Sequence, residues 1–151
     1  MEYEYSYKVS NIDEYLNIIK NKYDFVESYK EKRVIYRKDN TIGRITYKND
    51  DMYLDFKENK LSNDDLIVRK ESKTIKFDNI ENCENILDFL GYKKDNSLYR
   101  KRTIYKGNGI KFEIDEYFEP ESSLVLSFEG EKEICDKVYM EFEKLNDKYK
   151  I

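Results

Sequence analysis

Residues 1–9 read Met1-Glu2-Tyr3-Glu4-Tyr5-Ser6-Tyr7-Lys8-Val9. Successive side chains of a strand point to opposite faces. As a strand, this stretch has one face of Tyr3, Tyr5, Tyr7 and Val9 and another of Glu2, Glu4, Ser6 and Lys8. Which face looks inward decides the fold. In a half-exposed sheet the aromatic face packs on helices and the charged face meets water. In a closed barrel the charged face lines a wet interior.

The same split recurs along the chain. Over 109–118, Ile110, Phe112 and Ile114 oppose Lys111, Glu113, Asp115 and Tyr117. Over 123–131, Leu124, Leu126 and Phe128 oppose Val125, Ser127, Glu129 and Glu131. Over 52–58, Leu54 and Phe56 oppose Tyr53, Asp55 and Lys57. Arg69 shares a parity with Glu71, and Arg100 with Arg102, Leu98 and Ile104. Two features favour the barrel. Each helix has a single apolar stripe, so helices cover one side of the sheet only. The charges also sort by strand, with acids on the first and last strands and bases concentrated on the middle ones. Burying so many charges dry costs several kcal/mol each, so the interior must hold water, metal and an anionic ligand.

Further strands are expected near 33–38, 42–48, 65–71, 74–77 and 97–106. Helices are expected after Ser10, which is placed to cap, over about 80–90 ahead of Gly91, and over about 132–149. The sum is an α+β protein: an antiparallel closed β-barrel, or tunnel, of about eight strands with helices packed outside. With 151 residues and no linker, one domain over 1–151 is expected.

Composition narrows the chemistry. The chain has no histidine, which excludes Ser-His and Cys-His nucleophiles and His-ligated zinc. Carboxylates, Lys, Arg, Tyr and a hard metal remain. Cys83 and Cys135 lie far apart on expected helices, as core thiols. The net charge of −4 provides no field for nucleic acid. No apolar run approaches the roughly 20 residues that span a bilayer, and the acidic, strand-like start does not read as a signal peptide. A cytoplasmic monomer or homodimer is the expectation, with no nucleic-acid or membrane partner.

In order, parity and spacing, these segments resemble the CYTH superfamily, the triphosphate tunnel metalloenzymes, over nearly the whole chain. Glu2-Tyr3-Glu4-Tyr5-Ser6 resembles the family's opening Glu-x-Glu-x-Lys, with Ser6 at the lysine position and Lys8 one same-face step on. Gly43-Arg44-Ile45-Thr46 resembles Leu-Arg-Ile-Arg, with Thr46 at the second arginine. Tyr53-Leu54-Asp55-Phe56-Lys57 and Arg69-Lys70-Glu71 resemble the next two motifs. Ile86-Leu87-Asp88-Phe89-Leu90-Gly91-Tyr92 is similar to Ile-Leu-x-x-Leu-Gly-Phe, and Arg100-Lys101-Arg102-Thr103-Ile104-Tyr105 to Lys-x-Arg-x-x-Tyr. Ile114-Asp115 and Phe128-Glu129-Gly130-Glu131 resemble the closing Leu-Asp and Glu-x-Glu.

The resemblance implies a tunnel that binds a triphosphate compound. Lys8, Arg44, Lys57, Arg69, Arg100 and Arg102 would neutralise its phosphoryl groups. Glu2, Glu4, Asp115, Glu129 and Glu131 would hold Mg²⁺ or Mn²⁺. Lys57 is either a plain phosphate clamp or, crowded by arginines, a general base with Tyr36 as a neighbour. The expected activity is metal-dependent hydrolysis of tripolyphosphate, thiamine triphosphate or a nucleoside triphosphate. Ser6 and Thr46 each remove a cation, so the activity is expected to be low. The alternatives are a class IV adenylate cyclase and a non-catalytic polyphosphate- or nucleotide-binding module. The cyclase branch usually carries His-Phe before its first motif; Met1 stands there instead, which favours the hydrolase.

Overall fold

The computed structural model describes residues 2–58 and 65–151, with Glu2 described by its backbone only. The chain runs β1 (Glu2–Val9), α1 (Asp13–Lys22), β2 (Asp24–Lys38), β3 (Thr41–Lys48), β4 (Asp51–Glu58), β5 (Leu66–Arg69) and β6 (Ile75–Phe77). It continues through α2 (Ile80–Phe89), β7 (Lys93–Gly107), β8 (Ile110–Glu119), β9 (Ser123–Gly130) and α3 (Lys132–Tyr149). The fold is α+β. All nine strands belong to one antiparallel sheet, ordered β5-β1-β9-β8-β7-β2-β3-β4-β6.

Among the described residues no ladder closes this sheet into the expected barrel. The edge strand β5 is four residues long, and the chain just beyond it meets β4 at a single bridge, Lys57 to Glu71. Two backbone bonds flank that bridge: Glu58 N–H donates to Lys70 O (3.1 Å) and Ser72 N–H to Phe56 O (2.9 Å).

All three helices contribute to cores on one face of the sheet. Under α1 and α3, the outward residues of β1, β8 and β9 build an aromatic core that includes Tyr7, Phe112, Leu126, Phe128 and Phe142. Fully burying a Phe of this kind stabilises by roughly 1.5–3 kcal/mol. Under α2, Cys83 and Leu87 pack on Val34, Tyr36, Ile45 and Leu54 of β2, β3 and β4. Asn79 caps α2 by accepting from Asn82 N–H (3.2 Å). The expected cap of α1 is corrected: Ser10 Oγ instead donates to Tyr149 O at 3.2 Å, and Asn11 Oδ1 accepts from Asp13 N–H at 2.8 Å.

Two turns set the cavity wall. Asn108 and Gly109 both have positive φ, 51° and 77°, which suits the tight β7–β8 hairpin. At Gly130 a Cβ would meet Gly109 O at 2.5 Å, so glycine lets β8 and β9 approach before the chain turns into α3. No helix among the described residues is long and apolar enough to cross a membrane.

Candidate functional site

The charged parity lines a single cavity of about 390 Å³ to which eight strands contribute. Arg33, Arg44, Lys57, Arg69, Arg100, Arg102 and Lys111 face it, together with Glu4, Asp55, Glu71, Glu113, Asp115 and Glu129. Phe112, Leu126 and Phe128 lie on the other face, in the core. The inward orientation expected for Glu4, Arg69, Arg100, Asp115 and Glu129 is therefore the one observed.

Most of these charges are paired, in three groups. On β7 and β8, Arg102 donates to both Asp115 oxygens (2.8 Å each) and its Nη1 lies 2.5 Å from Glu113 Oε2. Arg100 reaches Asp115 (3.3 Å), the Tyr117 hydroxyl (2.9 Å) and Glu31 Oε1, which accepts at 2.8 and 2.5 Å. Burial alone would raise Asp115; the Arg102 fork and Arg100 outweigh it and hold its pKa below the usual carboxylate value. Burial likewise opposes Arg102, but its acids win and hold it well above an ordinary arginine. The second group joins Arg44 to Asp55, with Nε to Oδ1 at 3.0 Å, and to Glu71 at 3.0 Å. Lys57 Nζ meets Glu71 at 3.0 Å and Glu4 at 3.7 Å. In the third, Lys111 lies 3.1 Å from Glu129 and 3.8 Å from Glu113.

In four groups burial outweighs the opposite charge nearby. Burial pushes Glu4 up; Lys57 opposes and Glu113 reinforces that rise. Burial also holds Glu129 above its ordinary value, although Lys111 is near. Arg69 Nε is buried with no acceptor among the described residues, and burial, opposed by Glu4, lowers its pKa. Arg33 donates through Nε to Thr46 Oγ1 (3.1 Å), and its Nη2 lies 3.4 Å from Glu31. Burial, with Arg100 and Arg44 nearby, pushes Arg33 down to about 9.

Several expected site residues lie elsewhere. Lys8 shares the parity of Glu4 but is exposed beyond the end of the cavity, 3.6 Å from Glu121. Tyr36 alternates with Arg33 and Ile35 and so sits in the core under α2, away from Lys57. Glu131 falls after the end of β9, at the exposed N-terminal cap position of α3. Asp115, expected as a metal ligand, faces the cavity with both oxygens accepting from arginine. The side chain of Glu2 lies outside the described residues. Arg44, Lys57, Arg69, Arg100, Arg102, Glu4 and Glu129 all reach the cavity. Ser6 does too, its hydroxyl 2.9 Å from that of Ser127.

Glu31 and Arg33 were not expected. Glu31 lies among the first nine residues of β2, which carry charge on both parities and so give no apolar alternation, and Arg33 lies on the expected 33–38 strand, marked there by parity alone. Lys111, Glu113 and Tyr117 were marked by parity alone.

The fold of one large antiparallel sheet with three helices is one that solved structures share. The PH1012 protein of Pyrococcus horikoshii OT3 is 19% identical, with a TM-score of 0.74 over 97% of this chain and 88% of its own. A candidate adenylyl cyclase of Hippeastrum, described as having a dominant triphosphatase activity, is 12% identical, with a TM-score of 0.71 over 99% of this chain and 90% of its own. A chain of the Schizosaccharomyces pombe Mediator head module is 12% identical, with a TM-score of 0.66 over 99% of this chain and 98% of its own. The α+β antiparallel class agrees with the one expected; closure into a barrel is not seen among the described residues. No family model matches the sequence and no curated protein sequence is similar to it.

Proposed function

We propose that the chain is a triphosphatase: one CYTH-like domain whose sheet works as a tunnel around a triphosphate compound. The observation that carries this reading is Arg69, half-buried, whose buried Nε has no acceptor among the described residues and which faces a cavity lined by both arginines and carboxylates. A buried donor without an acceptor costs roughly 1–3 kcal/mol, and a phosphoryl oxygen removes that cost. Arginine forks match phosphate oxygens two at a time.

Glu4 and Glu129 face each other across the β1–β9 ladder. Both carboxyls are held above their usual value by burial, so a nearby cation would relieve them. Among the described residues no three acids converge as a metal cage. Mg²⁺ needs none, because it keeps waters and binds through one or two carboxylates plus substrate phosphate. The donor set therefore fits Mg²⁺ or Mn²⁺ on Glu4 and Glu129. Such an ion, when bound, supplies charge neutralisation on the phosphoryl oxygens.

Lys57 is the residue assigned to the proton of the attacking water. Burial, opposed by Glu4 and reinforced by Arg44 and Arg69, holds its ammonium below the usual lysine value. A lowered lysine pKa brings general-base chemistry nearer neutral pH.

The test is a panel of tripolyphosphate, thiamine triphosphate and ATP with Mg²⁺ or Mn²⁺, scored for phosphate, pyrophosphate and cyclic AMP. Phosphate release from at least one compound, lost in Lys57→Met, is the expected result. Cyclic AMP from ATP would replace the hydrolase by a cyclase. Tight binding with no product would leave a binding module.

A further inference from the structure

Arg33 is set apart from the other cavity arginines by what it lacks. Its carboxylate neighbour, Glu31, offers Oε1 at 3.4 Å, but that oxygen already accepts two hydrogen bonds from Arg100. Its Nε is held by a neutral group, Thr46 Oγ1, at 3.1 Å. A guanidinium has five N–H donors, and among the described residues Arg33 has no further acceptor; its other charged neighbours include Arg100, Arg44 and Arg102. Its side chain is only 14% exposed and lines the cavity. Arg33 and Thr46 are direct partners on the β2–β3 ladder and so share a face. The hydroxyl therefore fixes one edge of the guanidinium and leaves its Nη edge for a ligand.

We infer that Arg33 is a substrate-binding residue that grips a phosphoryl group through its Nη edge, and that Thr46 is its positioning residue. This rests on reading the cavity as a triphosphate site. Burial and the surrounding arginines already disfavour the Arg33 charge, so an anion relieves a repulsion there, whereas at Arg100 or Arg102 it must compete with acids in place. Cross-strand Cβ atoms lie about 4.5–5.5 Å apart, so an arginine at position 46 can deliver its guanidinium to the same space when position 33 is small.

The experiment is isothermal titration of tripolyphosphate into the wild-type chain and five variants, with thermal unfolding of each. Arg33→Thr should weaken binding at least tenfold, and Arg33→Thr with Thr46→Arg should recover most of the loss. Thr46→Val should weaken binding about threefold at unchanged unfolding temperature, with Thr46→Ser matching wild type. Should Arg33→Thr fail to fold, Arg33→Lys keeps the charge without the fork and should bind several-fold more weakly than wild type. Wild-type affinity in Arg33→Thr, or in Arg33→Lys, overturns the inference while the triphosphate reading stands. A wild-type chain that does not bind tripolyphosphate overturns that reading and the inference with it.

Discussion

Arg100 and Arg33 stand on neighbouring strands and face one cavity, yet they are held in opposite ways. Arg100 meets Glu31, Asp115 and Tyr117, and although burial opposes its charge, the acids leave its pKa above an ordinary arginine. Arg33 meets a threonine and a shared carboxylate oxygen, and burial drives it down to about 9. Residue type does not separate these two; neutralisation does. On the proposed reading, the Arg100–Arg102–Asp115–Glu31 lattice is scaffold, a charged substitute for a core. Arg33 and Arg69, with Glu4 and Glu129, are the part of the cavity that the same reading leaves for a ligand.

Breaking the lattice should produce the largest effect. Asp115→Asn leaves Arg102 and Arg100 buried beside a neutral amide, and removing one partner of a buried pair costs about 3–5 kcal/mol. Urea unfolding at pH 7 measures it. The sign against pH follows from Asp115 being held low: its contribution is present above the ordinary Asp value near 3.9 and is lost as pH falls through the lowered one. The gap between wild type and variant should therefore narrow in acid. An unfolding free energy within about 0.5 kcal/mol of wild type would remove the lattice from the scaffold.

A smaller effect, on binding instead of stability, is expected at Arg69. Arg69→Met should lower tripolyphosphate affinity by about 1.5–3 kcal/mol, the range for a charged hydrogen bond, with little change in unfolding. A large stability loss with unchanged affinity would place Arg69 on the scaffold side of the comparison.

Glu129 sharpens the comparison from the acidic wall. Its carboxyl takes a proton more readily folded than unfolded, because burial holds it above the ordinary value. Its ionisation thus costs stability at neutral pH, and that cost is relieved as pH falls through the raised value. In metal-free buffer, proton uptake there also removes a repulsion towards phosphate. Tripolyphosphate affinity should rise less between pH 8 and pH 5 in Glu129→Gln than in wild type, and identical slopes would show that this carboxyl is not at the ligand. The smallest effect is expected at Lys8, exposed beside Glu121: Lys8→Ala should leave affinity unchanged within about twofold.

How far the sequence could be read follows the same division. Phe112 and Phe128 alternate with Glu113 and Glu129, so β8 and β9 announce both of their faces. Alternation gives a face, however, and not a depth. Lys8 has the parity of Glu4 but lies past the end of the cavity, and Glu131 has the parity of Glu129 but follows the turn at Gly130. Alternation is also silent where both faces are polar. The start of β2, residues 24–28, is exposed on both faces, with buried Glu31 just beyond. No apolar period marks that stretch, whereas Arg33 lies on the expected 33–38 strand opposite in parity to Val34 and Tyr36, and its parity alone did not single it out. Thr46, legible only as a missing cation, turns out to hold one supplied by the neighbouring strand. The pairing of Asp115 with two arginines is likewise tertiary: it depends on the β7–β8 register, which places Arg102 opposite Asp115.

A crystal structure with tripolyphosphate bound tests the division between scaffold and site most directly. Phosphoryl oxygens within hydrogen-bond distance of Arg33 and Arg69, with the contacts of Arg100 and Arg102 to Asp115 unbroken, is the predicted result. An anion seated on Arg100 or Arg102 with Asp115 displaced, or bound outside the cavity, would contradict it.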